Sequence, residues 1–294
     1  MDDIFGYKNK VCVVTGGTSA FAKTIIQSLV NFGAKVYVLD LYECKIPGIA
    51  GYISCDFSDI NDIDTAFNSV PRNIDSFFGL YELTGMKSDY RTTFNSNFTA
   101  NKYMMSKYLR WRMGQGTSIL FLTSTAAENW LNFKEEQSPF VHAKTIDEMN
   151  TLLDRLEKFS PDYFAYVFSK RCLSQYICEQ SIEYARVGIR INNVMPGFTN
   201  TSTIDDFYDI LGGQEQVLSN SRISYDTAKP ADIAYPCLFI NSKLANFIAG
   251  EEMHIDYADS SLIKLGQKNV FANMPATKRL AMLNEKRRIE KLKR

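Results

Sequence analysis

The chain has almost no histidine: its 294 residues include two, His142 and His254, far apart in sequence. Its six cysteines are scattered at positions 12, 44, 55, 172, 178 and 237, with no C-x-x-C pair. A metal centre wants clustered imidazole and thiolate ligands, and a disulfide framework wants paired spacings. No metal and no disulfides are therefore expected, and the cysteine usage suits a reducing compartment. An excess of one charge is also missing, with 33 basic residues against 33 acidic ones. A neutral chain lacks the electrostatic footprint of a nucleic-acid binder, so no nucleic-acid partner is expected. There is no run of about eighteen apolar residues to span a bilayer. The first ten residues carry acids and no apolar stretch of a secretory signal. The expectation is a soluble, cytoplasmic protein.

What is present starts with an ordinary 45% hydrophobic content, enough for one large domain or two small ones. Val11-Cys12-Val13-Val14 is a short β-branched run entering Thr15-Gly16-Gly17-Thr18-Ser19-Ala20-Phe21-Ala22. Ile25, Ile26, Leu29 and Val30 then recur at helical spacing up to Gly33, and Lys35 to Leu39 reads as a second buried strand ending at Asp40. Strand, glycine turn, helix, strand and acid, in that order, are the setting of a dinucleotide fingerprint. The turn at Gly16, Thr18, Ser19, Ala20 and Phe21 would hold a pyrophosphate on backbone N–H groups. Asp40 would take the adenosine ribose hydroxyls and repel a 2′-phosphate, which predicts NAD rather than NADP. The plainer alternative is a βαβ unit whose strand happens to end in Asp.

Further on, Tyr166 and Lys170 stand at i and i+4, on one face of a predicted helix. The ammonium would favour the phenolate and so lower the tyrosine pKa from about 10, fitting Tyr166 to exchange a proton with a hydroxyl or carbonyl. Ser118 to Thr123 is an apolar strand followed directly by Ser124, at the strand end where open α/β sheets place ligands. Singly, the Tyr166/Lys170 pair reads first as a solvated helix face, and Ser124 reads equally well as a turn serine.

With these residues in view, the chain resembles the short-chain dehydrogenase/reductase family. The resemblance runs over roughly residues 9 to 260. Thr15 and Gly16 match its T-G-x-x-x-G-x-G turn, while Ala20 and Ala22 replace the second and third glycines. Ala tolerates positive φ poorly, and the methyl of Ala20 would crowd the pyrophosphate, so weakened cofactor affinity is expected. The resemblance implies adenine contacts at Asp56 and Phe57. Ser76 to Leu83 would be a strand closing on Thr84-Gly85, with Glu82 and Leu83 in place of the usual asparagines. Glu82 has no evident role. The implied catalytic set is Asn97, Ser124, Tyr166 and Lys170. Tyr166 would be the proton donor or acceptor and Lys170 the holder of the nicotinamide ribose. Ser124 would bond the substrate oxygen, and Asn97 would support a water relay to Lys170. Val187 to Val194 would be a strand leading to Pro196, Gly197 and Thr199 beside the nicotinamide, and residues 198–225 a substrate lid. Phe247 to Asp256 would be the last strand, with Tyr257-Ala258 replacing a Gly-Gly.

Between Ser124 and Tyr166, the capping-box pattern Thr145-Ile146-Asp147-Glu148 opens an amphipathic stretch over about 143–159. This inserted helix is similar to that of the bacterial 3α-hydroxysteroid dehydrogenase/carbonyl reductase branch. By that likeness a homo-oligomer is implied, a dimer rather than a tetramer. The fold expected is α/β, a doubly wound, mainly parallel Rossmann-type sheet with helices on both faces. It is read as a single domain over residues 1–262 with a basic tail over 263–294. The tail reads first as a solvated helix and second as a contact for anionic lipid or a partner. The function implied is NAD-dependent interconversion of a secondary alcohol and a ketone in a small molecule, with hydroxysteroids, bile acids and other bulky carbonyls foremost. An NAD(H)-binding sensor or interaction platform is the rival reading, favoured by Ala20, Ala22 and Glu82. A sugar-nucleotide epimerase is a weaker one, since Ser19 stands where its turn has a glycine.

Overall fold

Seven strands form one sheet in the order β3-β2-β1-β4-β5-β6-β7, and every neighbouring pair is parallel. The computed structural model describes residues 3–157, 162–211, 213–215 and 227–267. The basic tail from 268 and most of the predicted lid after 211 lie outside the described residues. Strands β1 (Val11–Thr15), β4 (Ser76–Gly79) and β5 (Ser118–Leu122) are apolar along almost their whole length, because helices cover both faces of a parallel sheet. On one face the helix Ala20–Asn31 and the helix Pro230–Ile240 bury Ile25, Ile26, Leu29, Ile233 and Leu238. On the other, a long helix over 90–112 and the helix Asp162–Ala185 bury Phe94, Phe98, Phe168 and Leu173. The inserted helix runs Ile146–Leu156, with Thr145 accepting from Glu148 N–H at its start. Met149, Leu153 and Leu156 join this second core, and Arg91 ties the insert down through Asp154 and Glu157.

The strand order reverses between β1 and β4, and at that switch point an open α/β sheet has its crevice. Gly16 lets the two chains cross there. Its φ is +74°, and a Cβ on it would meet the Tyr81 backbone at 2.6 Å. Thr15 Oγ1 accepts from the N–H groups of Leu80 and Tyr81 at 3.1 and 3.3 Å. Those bonds turn the chain out of the sheet, so β4 stops at Gly79 instead of reaching Leu83 as the apolar run predicts.

Two other strands depart from expectation. β6 is Arg190–Pro196 rather than 187–194, since Val187 and Gly188 belong to a turn at the helix C-terminus, with Gly188 at φ +76°. β7 is Glu252–Ile255 only: Phe247 is fully exposed, and Gly250 at φ +79° makes the turn that starts the strand. β2 (Lys35–Asp40) lies where the sequence puts it, and β3 (Gly51–Ser54) pairs with it. No helix among the described residues is long and apolar enough to cross a membrane.

Candidate active site

The carboxyl ends of β1, β4, β5 and β6 bring the predicted residues together around the crevice. Ser19 caps the helix Ala20–Asn31, its hydroxyl accepting from Ala22 N–H at 3.3 Å. In the first helical turn the N–H groups of Ala20 and Phe21 have no carbonyl four residues back within the helix, and no acid stands there. That arrangement suits an anion. Ala20 is not at positive φ; it is the first helical residue. The turn has thus settled around the methyl, and the left-handed strain expected at Ala20 is absent.

Asp40 ends β2 almost wholly buried, at 1% exposure. Its Oδ2 accepts from Thr18 N–H and Thr18 Oγ1, both at 2.9 Å, and its Oδ1 accepts from Tyr42 N–H at 3.1 Å. The acid therefore holds the glycine turn against β2. Asp56 is engaged with Ser58 N–H and Oγ at 2.8 and 2.7 Å, and the Phe57 ring is a core residue lying 4.5 Å from Tyr81. Gly85 is left-handed at φ +81°. At the far side of the crevice, Pro196 ends β6, Gly197 N–H donates to Ile255 O, and Thr199 Oγ1 donates to Gly197 O at 3.1 Å.

Tyr166 and Lys170 sit one turn apart on the helix Asp162–Ala185, both buried. Ser124 follows β5 and lies near the Tyr166 phenol, and its Oγ accepts from Ala126 N–H at 3.1 Å. Lys170 Nζ donates to Leu122 O at 2.8 Å and pairs with Glu82 Oε2 at 2.7 Å. The same carboxylate oxygen accepts from the Tyr166 hydroxyl at 3.4 Å. Glu82 thus stands between the phenol and the ammonium.

The Tyr166 pKa consequently moves opposite to expectation. Burial drives it well above 10 and the nearby Glu82 adds to that, while the Ser124 hydroxyl pulls the other way. A lysine whose charge is spent on a carboxylate does not favour a phenolate.

Asn97 serves a different contact from the one expected. Its Oδ1 accepts from Leu83 N–H at 2.8 Å, and its Nδ2 donates to Leu83 O at 2.9 Å and to Ser169 Oγ at 3.2 Å. It lies in a π-helical turn, Asn95–Thr99. Asn101 Nδ2 donates to Asn97 O at 2.9 Å. The asparagine clamps the segment that carries Glu82.

The helix Ile204–Leu211, at the start of the predicted lid, closes over this centre. Phe207 meets the Tyr166 ring edge to face at 5.1 Å. Asp206 accepts from Thr84 Oγ1 at 2.7 Å and pairs with Lys87 at 3.4 Å. Sequence reasoning left Glu82 without a role and did not single out Asp206. For Glu82 the available signal was a lone acid in an apolar run at the carboxyl end of a strand.

A family model described as Enoyl-(Acyl carrier protein) reductase matches residues 148–257, the part holding Tyr166, Lys170 and β6. A tropinone reductase homolog of Arabidopsis thaliana is 24% identical over 87% of this chain and 95% of its own. Over most of its length the chain is similar to members of the short-chain dehydrogenase/reductase family. Among solved structures, the 3-alpha-hydroxysteroid dehydrogenase from Pseudomonas sp. B-0831, complexed with NADH, superimposes with a TM-score of 0.71. It is 17% identical and covers 87% of this chain and 98% of that one. The angucycline C-6 ketoreductase LanV with bound NADP gives 0.64 at 18% identity, over 85% and 95%. At such identities the structural likeness speaks for the fold.

Proposed function

We propose that this chain is a short-chain dehydrogenase/reductase that interconverts a secondary alcohol and a ketone with a nicotinamide cofactor, and that the cofactor is NAD(H). The observation that carries the reading is the meeting of Ser124, Tyr166 and Lys170 at the carboxyl edge of the sheet, beside an anion-receptive helix start. A reduced nicotinamide supplies a hydride when bound. Tyr166 then gives its proton to the carbonyl oxygen as charge gathers there, and Ser124 hydrogen-bonds the same oxygen. Gly16, Thr18, Ser19, Ala20 and Phe21 would receive the pyrophosphate, and Gly85, Pro196, Gly197 and Thr199 would border the nicotinamide. Asp56 and Phe57 would border the adenine.

An ionised carboxylate has about four acceptor sites, and Asp40 has three in use, which leaves one for a ribose hydroxyl. A 2′-phosphate would meet the same carboxylate as a like charge, hence NAD(H). Phe207 on the lid gives the pocket an apolar wall, which fits bulky carbonyls of the hydroxysteroid or bile-acid kind. The inserted helix supports a dimer, as in the branch that this chain resembles, and residues 1–262 form the catalytic unit.

Absorbance at the NADH wavelength with a panel of ketosteroids and simple ketones tests the reading. Consumption of NADH on any of them, at a higher kcat/KM than with NADPH, is the expected result. One observation favours a non-catalytic NAD(H) sensor or platform, namely Lys170 occupied by Glu82. NADH binding with no turnover across the panel would select it.

A further inference from the structure

The reading above leaves Glu82 without a task. The segment that carries it is held on both sides. On its N-terminal side, Thr15 Oγ1 holds the N–H groups of Leu80 and Tyr81. On its C-terminal side, Asn97 holds both backbone groups of Leu83, and Thr84 is bonded to Asp206. The carboxylate projects between these anchors onto Lys170 and Tyr166, with its side chain 18% exposed and that of Lys170 1% exposed.

We propose that Glu82 is a positioning residue that holds Tyr166 as a neutral proton donor, and thereby fits the site to carbonyl reduction rather than to alcohol oxidation near neutral pH. The proposal rests on the dehydrogenase reading of the site. A lone ammonium beside a phenol stabilises the phenolate, whereas an ammonium already paired with a carboxylate presents almost no net charge. The carboxylate also accepts the phenol's hydrogen bond, which only the neutral tyrosine can donate. A phenolate at that place would face Glu82 as a like charge in a buried crevice.

The other groups around the phenol leave this balance unchanged or oppose it weakly. From β5 comes the Ser124 hydroxyl, which favours the phenolate, and from the 90–112 helix comes Asn97, which is neutral. From the lid helix come the uncharged Phe207 ring and Asp206, and Asp206 is turned to Thr84 and Lys87. The helix that bears Tyr166 contributes Lys170 itself. Burial and Glu82 together move the phenol pKa upward.

In reduction, a bound reduced nicotinamide would supply the hydride for the new C–H bond at the carbonyl carbon and would itself be oxidised. The carbonyl π pair takes the Tyr166 proton to form the hydroxyl, and Tyr166 recovers a proton from solvent. That direction needs the neutral phenol. Oxidation needs the phenolate first, and Glu82 opposes it.

The test needs neither cofactor nor substrate. Tyrosines labelled with ¹³C at the hydroxyl-bearing ring carbon are titrated by NMR in the full chain, with the Tyr166 signal assigned by its loss in Tyr166→Phe. In the parent chain Tyr166 should keep its neutral shift through the alkaline range. In Glu82→Gln it should titrate at least about one pH unit lower, a tenfold stronger acid. Glu82→Asn, the usual residue at this place in the family, should do the same and serves if the glutamine variant fails to fold. A Tyr166 signal that stays neutral to the same pH in the variants as in the parent overturns the proposal. Because no cofactor is present, that failure is distinct from failure of the dehydrogenase reading, which NADH binding and turnover test separately.

Discussion

Tyr166→Phe removes a single hydroxyl from a ring that is packed against Phe207 and buried in the crevice wall. The ring keeps its place, and the proton donor is lost. Turnover should fall by roughly 10²–10⁴-fold, the usual cost of losing a general acid, with NADH affinity nearly unchanged. Stopped-flow NADH oxidation and a fluorescence titration measure the two quantities, and activity within a few-fold of the parent would remove Tyr166 from the chemistry. Ala20 supports an equally sharp expectation. Because it already has helical backbone angles, Ala20→Gly relieves no left-handed strain and adds backbone freedom to the unfolded chain. Stability should drop by about 0.5–1 kcal/mol, and NADH binding should stay within about twofold. A clear gain in affinity would show that the methyl does crowd the pyrophosphate.

At the scale of elements, β7 is pinned at its carboxyl end by His254, which pairs with the Glu128 carboxylate in the loop after β5. Lys264, on the short helix Asp259–Lys264, reaches the same carboxylate at 3.7 Å. The Glu128 hydrogen bond raises the His254 pKa above 6.5, against the opposing effect of burial. For Glu128, burial pushes upward, but His254 and Lys264 together leave its pKa below 4.5. A histidine with a raised folded pKa stabilises fully below its unfolded value, and this is lost as pH rises through the folded value. The glutamate's share is present above its unfolded value and is lost as pH falls through the folded one. The pair is therefore strongest between about pH 5 and 6.5. His254→Gln should cost roughly 1–3 kcal/mol in urea unfolding at pH 6 and clearly less at pH 9. An equal cost at both pH values would mean that the imidazole acts here only as a neutral hydrogen-bonding group.

Strand boundaries at this scale show what a sequence carries and what it withholds. Apolar runs located β1, β2 and β5 almost to the residue, because a parallel strand buried on both faces must be apolar throughout. They overran β4 and β7, where a tertiary contact or a left-handed turn ends the strand. Thr15 Oγ1 ending β4 is a bond across 65 residues, and no local pattern encodes it. Tyr257 and Ala258 do sit at positive φ, 53° and 69°, where the family has glycines, so a turn can keep its shape after losing the residue that favours it.

The whole molecule's architecture was legible: the doubly wound sheet follows from the alternation of strands and helical periods, and the crevice from its switch point. The family resemblance is what names Asn97, Ser124, Tyr166 and Lys170 in the sequence. The sign of the charge around them is not legible there, because it depends on Glu82, which stands 84 residues before Tyr166 and reaches it through the crossing at Gly16. Cofactor choice is a whole-molecule property as well, since a ligand that binds only the folded chain raises its melting temperature. At a hundredfold excess over Kd the stabilisation is about 2.7 kcal/mol, worth several degrees in a chain of this size.

NADH should therefore shift the melting curve more than NADPH at equal concentration. Asp40→Asn keeps the shape of the side chain and removes the charge that a 2′-phosphate would meet. Its Oδ1 and Nδ2 cannot reproduce all three accepted bonds, so the turn loosens and the unliganded variant melts lower. The difference between the two cofactors should shrink in that variant, chiefly by a gain for NADPH. An unchanged NADH preference in Asp40→Asn would mean that the buried carboxylate braces the glycine turn and leaves the choice of cofactor to other groups.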